Sequence, residues 1–334
     1  MSTLALPSRG RGRLSETRQR RYDDDLRQWC ESIKEIDSTL DFKVSARGWC
    51  YILEQHQAID KGDFDKGERI INACRKSGLL PLDICCEDDG RQAEHLETLD
   101  QDTPTEFAQG WIDYLDHAHQ QYCPFSFWDG LDTYVQMTVE KVDLKSLFSS
   151  VCRSFHLPLQ NISGWNDINS RAAIMRRFAE WEQRGKRIVL LHCGDHDPGG
   201  LHISEFLRSN MDDLAAAVGW SPDNLIIERF GLNADFIREQ NLTWIDNLIT
   251  GSGGDLTDPR HPDHFKPYVQ SYLSEFGGRK VEANALVVSP DAGRKLCRDA
   301  ILKYVPETAI NKFERQLRRE QEQARRELMR LRSE

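Results

Sequence analysis

The second half of the chain alternates short apolar runs with segments of helical periodicity, and this alternation constrains the fold more than any other feature. The apolar runs predicted as strands cover residues 134–139, 157–162, 188–193, 225–230 and 280–287. The segments predicted as helices cover residues 144–155, 170–183, 203–218 and 292–304. Strands that alternate with helices of this length form βαβ units, so we predict an α/β fold with a mainly parallel sheet flanked by helices.

Acidic residues follow two of these predicted strands at the point where each strand ends. The stretch 187–200 reads Arg-Ile-Val-Leu-Leu-His-Cys-Gly-Asp-His-Asp-Pro-Gly-Gly, so Asp195 and Asp197 come directly after a strand, and Glu140 follows an earlier one. Parallel strands end at one edge of a sheet, where α/β proteins bind ligands, so the three carboxylates are expected to converge. Mg²⁺ takes one or two carboxylates and completes its shell with water and phosphate. The pattern therefore predicts a site for Mg²⁺, or Mn²⁺, that serves phosphate chemistry.

Charge is distributed unevenly along the chain, which has a net charge of −10. The first 22 residues contain six arginines and one acid, and the last 24 also have more Lys and Arg than Asp and Glu. Basic ends are compatible with contacts to the phosphates of double-stranded DNA, although solvated disordered ends explain them equally well.

Cysteine usage and hydropathy indicate the compartment. The nine cysteines have no Cys-x-x-Cys spacing, and their odd number rules out a complete internal disulfide framework, so reduced thiols are expected. No apolar run reaches the length of a membrane span, and the N-terminus has no apolar signal core. We therefore predict a cytoplasmic protein without membrane contact.

Composition shifts divide the chain into five predicted parts. These are a basic disordered arm (1–21), an α-rich helical domain (22–105), a connector (106–130), an α/β catalytic domain (131–305) and a charged C-terminal helix (306–334). The helical domain contains predicted helices starting at Tyr22 and covering 44–56 and 64–76, the last one stopped by Gly78, then a strand-like run at 79–86 and a turn at 87–90. This order is typical of a DNA-binding winged helix.

The C-terminal helix has a single apolar line. Ile310, Leu317, Ala324 and Leu331 repeat every seven residues, which is compatible with packing on the same domain and with a homodimeric coil.

A Glu after the first strand and an Asp-x-Asp after the third is the pattern of the TOPRIM fold. From about residue 44 to residue 304 the chain resembles proteins that place a winged helix before a TOPRIM domain. They include the A subunit of topoisomerase VI, the meiotic double-strand-break enzymes, and prophage and plasmid-defence proteins such as the Wadjet nuclease subunit. The resemblance implies a Mg²⁺-dependent enzyme that cleaves DNA phosphodiesters, with catalytic metal ligands at Glu140, Asp195 and Asp197.

The same resemblance implies roles for residues outside the three acids. Glu282 would lie on the final strand as a further candidate metal ligand, and Arg229 on the fourth strand. Lys141, Arg47 and Arg229 are candidate contacts to phosphate or DNA, although ion pairs explain Lys141 and Arg229 equally well. His196, between the two aspartates, is expected to face solvent.

Topoisomerase-type members use a tyrosine nucleophile that follows an arginine and another tyrosine. Here Arg47-Gly48-Trp49-Cys50-Tyr51 places Tyr51 at the nucleophile position, but Cys50 replaces the first tyrosine and Gly48 the acidic residue after Arg. These departures favour a hydrolytic nuclease or nickase, with a helix-core role for the tyrosine. A transesterase that uses Tyr51 and a non-catalytic DNA-binding subunit stay as alternatives.

Two further readings follow from short motifs. The chain has no Gly-x-x-x-x-Gly-Lys-Ser/Thr loop, so ATP-driven activity would need an ATPase partner subunit. The Asp-x-Asp pair alone also fits a phosphatase of the haloacid dehalogenase type or a sugar-nucleotide transferase.

Overall fold

The computed structural model describes residues 4–10, 12, 15–86, 99, 102–162, 168–250 and 253–333. Three helices, α1 (Glu16–Asp37), α2 (Ala46–Gln55) and α3 (Phe64–Lys76), form the N-terminal helical region, and α4 (Pro104–His117) follows it. The remaining helices are α5 (Val142–Ser154), α6 (Ile168–Gln183), α7 (Pro198–Leu201), α8 (Ile203–Asp212), α9 (Ala215–Val218), α10 (Ala234–Glu239), α11 (Pro267–Phe276), α12 (Pro290–Leu302) and α13 (Glu307–Ser333).

Four parallel strands form the sheet, which confirms the predicted α/β class. They are β1 (Thr133–Val139), β2 (Leu159–Asn161), β3 (Arg187–Cys193) and β4 (Ile226–Gly231), in the order β2-β1-β3-β4. The next strand along the chain, β2, lies on one side of β1, and β3 and β4 lie on the other side. The strand order therefore reverses between β1 and β3, and ligands of open α/β sheets bind at the carboxyl ends of the strands at such a point.

The central strands β1 and β3 are almost completely buried and mainly apolar, because helices cover both of their faces. Every residue of β1 is buried, and so is every residue of β3 after Arg187. Val135 and Leu190 lie in a core that includes Phe148 of α5 and Phe178 of α6. A continuous apolar run is the pattern expected of a parallel strand buried on both sides.

The N-terminal helical region has a second core, built around Trp29, Trp49 and Ile71. Its helix α3 ends at Lys76, and Gly78 follows with φ of +75°, as expected for the predicted C-terminal glycine. The first helix begins at Glu16, before the predicted start at Tyr22. The predicted disordered arm is thus wrong for residues 16–21, and part of the preceding segment is also docked.

That preceding segment is held by an apolar contact and a hydrogen bond. Leu4 and Leu6 pack against the second core, and Trp29 donates its indole N–H to the carbonyl of Leu4 at 3.1 Å. The basic N-terminal segment is therefore held to the helical region by its two leucines.

The prediction of a fifth strand at 280–287 is wrong. Lys280 and Val281 each make one isolated antiparallel bridge, to Ile245 and His196, and a 3-10 helix follows at Ala283–Val288. The segment is apolar because it lies between the two cores: Val281 belongs to the core of the sheet and Val287 to that of the helical region.

Two other predictions differ from the structure in detail. The strand-like run at 79–86 contains a 3-10 helix, Leu82–Ile84, and one parallel bridge between Val44 and Cys85. The predicted turn at 87–90 lies outside the described residues. The helix predicted at 203–218 is interrupted between α8 and α9.

The long C-terminal helix α13 contacts its own chain along its length, through Phe313, Gln321 and Arg332. Phe313 contacts Phe125, Phe127 and His156 ring to ring, at 5.4, 5.5 and 4.7 Å between centroids. Leu331 at the far end of the heptad line is exposed. Among the described residues, no helix is long and apolar enough to cross a membrane.

Candidate functional site

Glu140 and Asp195 meet at the edge of the sheet where the strand order reverses. Strands β1 and β3 end level with each other, since Val139 pairs with Cys193. The backbone N–H of Glu140 donates to the carbonyl of Cys193 at 3.2 Å, and the backbone N–H of Asp195 donates to Glu140 Oε2 at 3.1 Å. The sheet register thus fixes the separation of the two acids.

One oxygen of each carboxylate is held by a backbone amide, and the other oxygen faces Lys141. Asp195 Oδ1 accepts from the N–H of Ala283 at 2.8 Å, whereas Lys141 Nζ lies 3.0 Å from Asp195 Oδ2 and 3.3 Å from Glu140 Oε1. We call the point between Glu140 Oε1 and Asp195 Oδ2 the cation position. In this structure the lysine ammonium lies there.

Burial and neighbouring charges together set the protonation of Asp195 and Lys141. Burial raises the pKa of Asp195 to about 7, the charge of Glu140 adds to the rise, and Lys141 opposes it. For Lys141, burial acts to lower the pKa, but the carboxylates of Asp195 and Glu140 outweigh it and the pKa is raised. The ammonium is therefore the counter-ion that allows the buried Asp195 and the partly exposed Glu140 to lie side by side.

Asp197 is used as the N-cap of α7. Its Oδ1 accepts a hydrogen bond from the N–H of Gly200 at 2.6 Å, and burial raises the pKa of this carboxyl despite that bond. Gly200 has no room for a side chain, because a Cβ there would lie 2.0 Å from the carbonyl oxygen of Asp195. The glycine therefore allows the loop to fold tightly behind the first acid.

Arg229 holds the same loop from the side of β4. Its guanidinium donates to the carbonyl of Asp195 at 3.1 Å, to Asn233 Oδ1 at 2.5 Å, and to the carbonyl of Leu232. Burial lowers the pKa of this guanidinium. Arg229 was predicted to contact phosphate, but these N–H groups donate to oxygen atoms of the protein itself. Arg47, the other predicted arginine, makes an ion pair with Glu68 at 2.9 Å.

The expectation that His196 faces solvent is wrong. Its side chain is buried, its Nδ1 lies 3.1 Å from the hydroxyl of Tyr272, and rings of Trp244 and Phe276 pack against it. Burial lowers the pKa of His196 to about 4, so the imidazole is neutral at neutral pH. The chain after Trp244 returns over the acidic loop and encloses this residue.

Tyr51 lies in the N-terminal helical region and is almost completely buried. Its ring packs edge-on against Phe64 with centroids 4.9 Å apart, and Lys61 Nζ donates to its hydroxyl at 3.1 Å. Burial raises the pKa of the phenol, and the charge of Glu282 adds to the rise. Ionisation of this hydroxyl is therefore unfavourable.

Glu282 connects the helical region to the sheet through Lys61. The Lys61 ammonium contacts Glu282 Oε1, and Lys280 Nζ lies 3.6 Å from the same oxygen. Burial opposes ionisation of Glu282, but Lys61 outweighs it and the pKa falls to about 2. Lys61 was missed by the sequence reasoning because it begins a short 3-10 helix, Lys61–Asp63, and gains its role only through tertiary contacts.

His192 is a second residue that the sequence reasoning missed. Its Nδ1 lies 3.1 Å from Thr138 Oγ1, and its Nε2 is buried without a hydrogen-bond partner. A Cβ on Gly194 would lie 2.7 Å from His192 Nε2 and 3.0 Å from Glu140 Oε2. Both atoms therefore lie close to the Cα of this glycine. Burial lowers the pKa of His192 to about 4. The sequence signal that could have identified His192 is its position as a polar residue after the apolar run of β3.

The donor set fits a hard divalent cation in part. Two carboxylate oxygens converge, which matches the one or two carboxylates that Mg²⁺ uses. Within the described parts of the chain, no three His, Cys, Asp or Glu side chains form a group that could hold a metal ion. Comparison of the chain with protein-family models, with curated proteins and with solved structures gives no match.

Proposed function

We propose that this chain is a Mg²⁺-dependent DNA endonuclease or nickase, with Mn²⁺ as a competent substitute. The observation that carries the proposal is the convergence of Glu140 Oε1 and Asp195 Oδ2 on one cation position. This position lies at the carboxyl ends of β1 and β3, where the strand order reverses. The resemblance to TOPRIM proteins adds the substrate, a DNA phosphodiester.

A bound Mg²⁺ would supply Lewis-acid stabilisation of a phosphate and a water of lowered pKa. Glu140 and Asp195 would hold the ion, and their backbone partners keep the two carboxylates oriented before it arrives. Arg229 fixes the carbonyl of Asp195 and hence the loop that follows it. Asp197 supports the same loop as a helix cap and is the nearest further acid in sequence for the metal shell.

The surroundings of Tyr51 favour water over tyrosine as the nucleophile. The phenol is buried, its hydroxyl bonds Lys61, and its pKa is raised. A tyrosine nucleophile must lose its proton as it attacks, and burial together with the charge of Glu282 makes that loss harder, although the Lys61 ammonium acts in the opposite direction. Transesterification through Tyr51 is therefore the second candidate. A DNA-binding subunit without catalysis is the third.

Binding of double-stranded DNA would draw on the N-terminal helical region. Its α2–α3 pair carries Arg47 at the surface, and residues 79–86 follow it in the place of the predicted wing. An ATPase partner subunit belongs to the same proposal, because the chain lacks a phosphate loop of its own. A cytoplasmic location also belongs to it, because the nine cysteines have no paired spacing.

Plasmid cleavage with Mg²⁺ or Mn²⁺ tests the proposal. Glu140→Ala and Asp195→Ala should each reduce cleavage by at least about 100-fold, whereas Tyr51→Phe should cleave like the parent protein. Glu180→Ala, which removes an exposed acid on α6, is the matched control. Equal cleavage by all variants would disprove the assignment of the site. A covalent protein–DNA adduct that disappears in Tyr51→Phe would instead establish the transesterase.

A further inference from the structure

Lys141 is placed as a built-in counter-ion of the two acids. Its ammonium lies 3.0 Å from Asp195 Oδ2 and 3.3 Å from Glu140 Oε1, and these are the oxygens that the backbone amides leave free. The lysine side chain is about a quarter exposed, at 26%, whereas the carboxylate of Asp195 is buried. The carboxylates themselves are held from behind by β1, β3 and the N–H of Ala283.

We propose that a divalent cation displaces Lys141 from the cation position and that the released ammonium then binds a substrate phosphate. The inference rests on the proposed function. A Mg²⁺ ion sits about 2.0–2.1 Å from its oxygen ligands, so an ion held between these two carboxylate oxygens would occupy the place that the ammonium takes. Lysine is suited to such a movement, because its charge is a point at the end of a flexible stem of four carbons.

The displacement makes phosphate binding conditional on metal loading. With Lys141 between them, Glu140, Asp195 and the lysine together have a net negative charge, which repels a phosphodiester. With a divalent cation in place the two carboxylates are neutralised, and the free ammonium leaves the group with a net positive charge. The site would therefore attract the DNA backbone only after it holds its metal.

Amine labelling of the unmodified protein gives a direct test. Lys141 should react slowly with an acylating reagent in EDTA, because its ammonium is paired with two carboxylates, and severalfold faster in Mg²⁺ or Mn²⁺. Lys145, which is exposed one turn further along α5, is the internal control and should react equally in both. Peptide mass spectrometry reads both sites in one sample. A Lys141 rate that is unchanged or lower with metal would overturn the inference.

A pair of variants gives the second test. Lys141→Met should bind Mn²⁺ roughly tenfold more tightly than the parent protein, because the competing charge is gone. Lys145→Met loses the same charge outside the cation position and should bind Mn²⁺ like the parent protein. Electron paramagnetic resonance of free Mn²⁺ measures both affinities without DNA. Equal effects in the two variants, or weaker binding by Lys141→Met, would contradict the displacement.

The outcomes separate this inference from the proposed function. Metal-dependent DNA cleavage without a metal effect at Lys141 would overturn the displacement alone. A metal effect at Lys141 without cleavage of any DNA would overturn the nuclease alone. A protein that does not bind Mn²⁺ would overturn both.

Discussion

The carboxylate of Asp143 accepts a hydrogen bond from the backbone N–H of Ser45 at 2.7 Å, across 98 positions of sequence. Ser45 is the N-cap of α2, and its hydroxyl accepts from the N–H of Gly48 at 2.9 Å. Asp143 stands in the first turn of α5, which begins at Val142 directly after the Glu140–Lys141 pair. The helix that carries Tyr51 is therefore docked directly on the helix that begins at the candidate site.

Gly48→Ala tests this docking contact. A Cβ on Gly48 would lie 2.6 Å from Asp143 Oδ2, so the substitution should cost about 1–3 kcal/mol of unfolding free energy, although alanine is the better helix former. Urea denaturation measures the change. Gly110→Ala in α4, where no atom lies within 4 Å of the new Cβ, should instead gain up to about 1 kcal/mol. If both alanines stabilise the protein, α2 does not dock as described.

Gly200→Ala tests the tight loop behind Asp195. The new Cβ would lie 2.0 Å from the Asp195 carbonyl oxygen, so the loop must move and the Asp197 cap is lost. We expect a loss of about 2–4 kcal/mol in unfolding free energy and weaker Mn²⁺ binding. At Gly199 the nearest atom would be 3.5 Å away, so Gly199→Ala should be nearly neutral. Similar stability of the two variants would exclude this loop geometry.

Glu54 should make stability depend on pH. Burial raises its pKa from 4.5 to about 7, so the folded protein binds a proton that the unfolded chain has lost between these values. Stability from this group is fully present below pH 4.5 and is lost as the pH rises through 7. Glu54→Gln should thus exceed the parent protein by about 1–3 kcal/mol at pH 8 and match it at pH 4.5.

Urea denaturation of both proteins across this pH range measures the difference. Glu180→Gln, a change of the same charge at an exposed position, should follow the parent protein at every pH. A Glu54→Gln variant that tracks the parent protein in the same way would show that the carboxyl is not buried.

Lys61→Met tests the link between Glu282 and the helical region. The substitution leaves a buried carboxylate without its main partner, and we expect a cost of about 2–4 kcal/mol in unfolding free energy. Adding Glu282→Gln should recover part of that loss, because the uncompensated charge is removed. A double-mutant cycle by urea denaturation gives the coupling energy. Additive effects of the two substitutions would mean that the pair contributes nothing.

Much of the sheet could be predicted from the sequence, because β1, β3 and β4 contain short runs rich in β-branched and other apolar residues and alternate with helical segments. The contact between Glu140 and Asp195 follows from the parallel register. The conformation of the segment 280–287 could not be predicted. Its residues are apolar because they pack into two different cores, and such a segment has the same composition as a buried strand. Lys61 and the position of Lys141 were beyond sequence reasoning, because both depend on which distant carboxylates the fold brings within reach.

The peptide that joins Glu282 to Ala283 touches both parts of the molecule. On one side the Glu282 carboxylate contacts Lys61 of the helical region, and on the other the Ala283 N–H orients the carboxylate of Asp195. A change in the separation of the two parts would therefore act on the N–H that orients the Asp195 carboxylate. The position of the Asp195 carboxylate thus depends on how the helical region and the sheet lie relative to each other. A ligand that contacts neither acid would alter the cation position if it moved one part against the other.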